Sequence, residues 1–218
     1  GSGGAIFLSV GKSKTNPGGD FLSFSGSNIQ HTGGSVSLKG GFSQATSSGR
    51  IVLRTQDAGS YGASGMLKFS SGTSSAGTSG LIQMLSGNSD GGKSGNIRFA
   101  IGTSSAEAGG HLTIESGEMS INTGGSVFMS SGSGSAKSSG EIIVMTKNAG
   151  TGGTSGTLSF ASGTASAGTS GLFTFVTGKA DNGKSGNIKL QVGSGTNNQA
   201  GRIKIYAGES TQNFASGG

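Results

Sequence analysis

One glycine recurs at almost fixed spacing along the whole chain, and this constrains the fold more than any other feature. It stands at Gly4, Gly19, Gly34, Gly49, Gly65, Gly80, Gly95, Gly110, Gly125, Gly140, Gly156, Gly171, Gly186 and Gly201. The step is 15 residues, lengthened twice to 16. A second glycine follows seven residues later in twelve of the fourteen units. Each unit opens with an alternating apolar segment, as in Gly65-Met-Leu-Lys-Phe-Ser-Ser-Gly72, and continues into a half made of Ser, Thr, Ala and Gly. Periodicity of this kind marks a repeat architecture.

A longer period lies over the short one. Thr73–Gly80 returns as Thr164–Gly171, and Gly92–Ile97 returns as Gly183–Ile188, both 91 residues on. The two longer units also correspond, carrying Gln56-Asp-Ala-Gly59 and Lys147-Asn-Ala-Gly150 where the second glycine has slipped. The sequence therefore divides into 1–33, the last two units of one module, and two six-unit modules at 34–124 and 125–215. Ending at Gly217 and Gly218, where another module would begin, it reads as an excerpt from a longer array forming one continuous rod.

Alternation of apolar with other residues predicts strands with one buried face. The pairs include Val36/Leu38, Ile51/Leu53, Leu67/Phe69, Ile97/Phe99, Leu158/Phe160 and Phe173/Phe175. A strand, a glycine turn, a second strand of small residues and another turn fit 15 residues. Glycine at fixed phase suits turns that need positive φ or close backbone approach. The expected fold is all-β, a parallel β-solenoid (β-helix) of about 14 coils stacked at about 4.8 Å, with a narrow two-sheet cross-section.

Composition removes several alternatives. Of 218 residues 47 are Gly, one is Pro and none is Cys, while hydrophobic residues make up 30% and charged residues 11%. Collagen needs glycine every third residue and abundant proline. A disulfide scaffold or a cysteine zinc site needs cysteine. No apolar run is long enough to span a membrane, and no signal-peptide pattern opens the chain.

Function should be written on the outward positions of the apolar strand. A basic set stands there: Lys39, Arg50, Arg54, Lys68, Arg98, Lys189, Arg202 and Lys204. With a net charge of +6, a polyanionic partner such as an acidic glycan is allowed. No row of aromatic residues interleaves these cations as nucleic-acid binding would require. An apolar set, Leu81, Leu85, Phe128, Ile143, Met145, Leu172 and Val176, predicts lateral contact with copies of the chain or with other solenoid chains in a filament or surface layer. Catalysis has little material: His31 and His111 are the only histidines, and pairs such as Glu115/Glu118 do not recur at matching module positions. No catalytic residue, metal ligand or cofactor site is expected, so the chain does not read as an enzyme.

Segments such as Ser70–Gly80 and Val127–Gly132 resemble the Gly/Ser-rich tandem repeats of very large proteins from microalgae and other aquatic protists. That resemblance covers nearly the whole chain. It implies a secreted or cell-surface structural protein, part of an extracellular filament, flagellar hair or coat. Compact 15-residue solenoids also resemble some insect ice-binding proteins, an alternative that needs a regular threonine plane. Here the corresponding positions read Thr78, Lys93, Ala108, Ser138, Thr154, Thr169 and Lys184, so such a plane is interrupted.

Overall fold

In the computed structural model, residues 3–105, 108–196 and 199–209 are described. Gly217 and Gly218 lie outside them. The described residues contain no helix and no β-strand. The expected β-solenoid, or β-helix, with its stacked coils and two sheets, is therefore not formed. The chain is mostly coil, punctuated by regular bends.

The reason lies in which glycines meet. Stacking 15-residue coils would set Gly34 beside Gly49 and join their strands by bonds between residues 15 apart. The backbone bonds made are local instead. Gly34 N–H donates to Gly26 O at 2.8 Å and Gly49 N–H to Gly41 O at 2.8 Å, each reaching back eight residues. Gly62 N–H donates weakly to Gly59 O at 3.4 Å. These closures are local, and among the described residues no ladder runs from unit to unit.

Two compact units are distinguished, Gly1–Leu112 and Thr113–Gly218. The three bonds above belong to the first. In the second, Gly125 donates to Gly117 at 2.9 Å, Gly140 to Gly132 at 2.9 Å and Gly153 to Gly150 at 3.3 Å. Every one of these is its counterpart in the first unit shifted by 91 residues. The side chains repeat part of the pattern: Ser25 Oγ donates to Gly34 O and Ser116 Oγ to Gly125 O, both at 3.0 Å. The longer sequence period is thus expressed as a repeated set of hydrogen bonds.

Bends mark the shorter period. They fall at 14–16, 29–31, 44–46, 60–61, 75–77, 90–92 and 105 in the first unit, and at 120–122, 135–137, 151–152, 166–168, 181–183 and 196 in the second. Where every residue between two bends is described, the chain runs for 12 or 13 residues without one. Each such run carries the repeat glycine, the apolar pair and, in most units, the second glycine.

Close approach accounts for the repeat glycine at Gly19, Gly49, Gly110 and Gly201, whereas at Gly80, Gly95, Gly140, Gly156, Gly171 and Gly186 the added Cβ would make only ordinary contact. From Gly19 onward, a Cβ added at each repeat glycine, or at the residue facing it, would touch the chain nine residues apart, or ten in the longer units. Gly19 faces Val10 Cγ1 at 2.8 Å, Gly110 faces Ile101 Cγ2 at 3.0 Å and Gly201 faces Val192 Cγ1 at 2.8 Å. At Gly72, Gly87, Gly102 and Gly163, second glycines of their units, an added Cβ would meet nothing within 4 Å. Positive φ, the other role expected of these glycines, is confined among the described residues to Gly168 at 128°.

No core forms. Among the described residues no hydrophobic side chain is buried. The chain exposes 22557 Å², against about 9,000 Å² for a folded monomer of its mass and about 31,000 Å² for the unfolded chain. Leu67 and Phe160, expected inside a solenoid, are more than half exposed. With two sizeable apolar side chains per unit and small residues elsewhere, burial within one chain is too little to offset the entropy of ordering 15 residues. A difference between the faces of a run nevertheless remains. Leu158 and Phe173 are 50% and 51% exposed, whereas Phe128 and Leu172 both reach 91%.

Candidate functional site

The bends are built from short polar side chains. Ser13 Oγ accepts from Asn16 N–H at 3.0 Å, Ser43 Oγ from Thr46 N–H at 3.0 Å and Ser74 Oγ from Gly77 N–H at 3.0 Å. Asn28 Oδ1 accepts from both Gln30 and His31 N–H, at 2.8 and 2.7 Å. Serine and asparagine hold turns this way because their oxygen reaches a backbone N–H two or three residues on. All four cap residues stand nine positions after a repeat glycine.

Three of the four positions 91 residues later have lost this chemistry, while Ser13 keeps a serine, Ser104, as its counterpart. Asn28, Ser43 and Ser74 correspond to Met119, Gly134 and Ala165. At Gly134 a carbonyl takes the space instead, since an added Cβ would lie 2.5 Å from Lys137 O and 2.6 Å from Ser138 O. Gly168, the counterpart of Gly77, is the glycine that turns to positive φ. Segments 91 residues apart that share their glycine phasing thus close these bends differently.

Every candidate for lateral contact is exposed. Leu81, Leu85, Phe128, Leu172 and Val176 are the most open, and Ile143 and Met145 less so at about two-thirds. Near Leu172, three rings gather in the second unit. Phe160 stacks on Phe173 with centroids 6.4 Å apart, and Phe175 meets Phe173 edge-on at 4.6 Å. These are the apolar contacts that begin to organise a run, and they leave Leu172 and Val176 free on the same segment.

The basic residues are also exposed, but the structure groups them unevenly. Lys39 and Arg50 are brought to either side of one closure, the Gly41–Gly49 bond. Arg54 follows four residues later on the same run. Lys68, Arg98, Lys189, Arg202 and Lys204 belong to other runs. One ion pair is seen among the described residues, Lys179 with Asp181. Both partners are highly exposed, so it adds little stability.

Acidic and histidine residues form no centre. Glu115 and Glu118 line an open depression of about 730 Å³ around the Gly117–Gly125 closure. His31 sits in a shallow hollow made by residues 27–31 of its own loop. Among the described residues no three His, Asp or Glu side chains are placed to hold a metal ion, and no helix is long and apolar enough to cross a membrane.

The sequence reading overlooked the residue that packs against each repeat glycine. It is Val10, Ser25, Thr55, Ser71, Ser86, Ile101 and so on to Val192, and in the 15-residue units it stands just before the second glycine. It is small or β-branched throughout, a signal that was present and that points to a close local contact.

Comparison with known proteins places no neighbour beside this chain: no family model, no curated protein and no solved structure matches it. Function therefore has to be argued from the residues themselves.

Proposed function

We propose that this chain is a structural repeat protein, part of an extracellular filament, flagellar hair or surface layer, that gains its order by packing against copies of itself. The observation carrying this reading is the coexistence of strict apolar phasing with no buried hydrophobic side chain among the described residues. Apolar residues repeated every 15 positions can be removed from water by another chain of the same period, with burial in one unit adding to that in the next. An exposed apolar surface on this scale marks an interaction surface. The extracellular placement is supported by the likeness of the Gly/Ser repeats to those of large aquatic-protist proteins. No stacked-coil fold is part of the proposal, since the backbone bonds close within units.

Velocity sedimentation and electron microscopy across a concentration series test it. The expected result is concentration-dependent assembly into elongated particles, weakened in the L172S/V176S variant. A chain that stays monomeric at every concentration, with or without those substitutions, contradicts the proposal.

A further inference from the structure

The Gly41–Gly49 closure carries a charge arrangement that self-assembly does not explain. Its waist is glycine on both sides. Gly49 N–H donates to Gly41 O at 2.8 Å, and a Cβ on Gly40 would lie 2.6 Å from Gly49 O. With no side chain between the two segments, the first side chains outside the waist are Lys39 on one and Arg50 on the other. Both are exposed, as is Arg54. The one ion pair seen among the described residues lies elsewhere, so no described carboxylate is ion-paired to this group. Like charges flanking one closure repel, and a bound anion lowers that repulsion.

The equivalent closure in the second unit serves as an internal control. Gly132–Gly140 has the same bond at 2.9 Å, yet Lys39, Arg50 and Arg54 are replaced there by Ser130, Glu141 and Met145. The backbone arrangement recurs and the charge does not. Three cations are therefore not needed to make the closure.

We infer that Lys39, Arg50 and Arg54 form a binding site for an acidic polysaccharide, with sulfate or carboxylate groups seated across the Gly41–Gly49 waist. Arginine supplies a planar fork matched to such oxyanions, and lysine a point charge beside it. Arg54, about 13 Å along the run if it is extended, reaches a second acidic group of the same polymer. Phe42 is the only ring among residues 36–54. One ring is not the row of stacking platforms that single-stranded nucleic acid uses.

The test is binding of the full chain to dextran sulfate by calorimetry at two salt concentrations. The K39S/R50E variant is expected to bind roughly tenfold more weakly, and S130K/E141R to bind more tightly than the unaltered chain. K68S/R98E, which changes net charge by the same amount in the same unit, is expected to lose less than about twofold. Amide exchange at Gly49 shows whether the closure survives the first variant. Equal losses in K39S/R50E and K68S/R98E would mean that diffuse charge binds the polymer, overturning the site. Equal affinity for a single-stranded oligonucleotide would overturn the choice of partner.

Discussion

Gly201 and Gly193 are eight residues apart and carry opposite demands. A Cβ on Gly201 would meet Val192 Cγ1 at 2.8 Å, whereas one on Gly193 would meet nothing within 4 Å. Gly201→Ala should therefore push residues 192 and 201 apart, and Gly193→Ala should leave them in place. Nuclear Overhauser contacts between those residues check this; equal loss in both variants would contradict the steric role. Gly168 offers a second case. Its counterpart Gly77 is held by Ser74, and Ala165 stands where that serine would be. Ala165→Ser should restore a hydrogen bond to Gly168 N–H, slowing its exchange a few-fold, in line with about 0.5–1.5 kcal/mol for such a bond. Ser74→Ala should speed exchange at Gly77 by a similar factor.

The elements of this chain are bends and the straight runs between them, and here the sequence is partly transparent. Its 15-residue period marks where the described bends fall, and at Ser13, Asn28, Ser43 and Ser74 the residue nine positions after the repeat glycine is a turn former with a mechanism. Its 91-residue period predicts which hydrogen bonds recur. Less legible is the direction in which a glycine pairs. Gly49 can lie beside Gly34 in a stacked coil or beside Gly41 in a local closure, and the spacing suits both. What decides is the neighbouring residue, Ser, Thr, Val, Ile or Gly, which fits against a bare Cα. The alternating Leu158/Phe160 and Phe173/Phe175 pairs read as strand faces, yet without a ladder they produce only ring contacts. Phe173 touches both of its ring neighbours. Phe173→Ala should separate Phe160 from Phe175 and remove ring-current shifts on both, while Leu172→Ser leaves them unchanged.

At the scale of the whole molecule, the candidate surfaces were readable from charge and hydrophobicity, but their grouping was not. Lys39 and Arg50 are 11 positions apart in sequence and come to flank one closure through the Gly41–Gly49 bond. Leu172 and Val176 are exposed because no described residue covers them, and described runs without a core have little to resist local opening. Salt should act differently on the two proposed interactions. Raising ionic strength screens Lys39, Arg50 and Arg54 and weakens glycan binding, while packing of apolar faces between copies holds or strengthens. Light scattering and glycan binding followed through one salt titration should diverge; parallel decline would tie assembly to charge.

Amide hydrogen exchange on the dilute chain tests the central claim most directly. Local closures without a core predict weak protection, no more than about tenfold, concentrated at Gly34, Gly49, Gly125 and Gly140. Strong protection spread through the apolar runs of every unit would show a continuous backbone ladder and contradict the account.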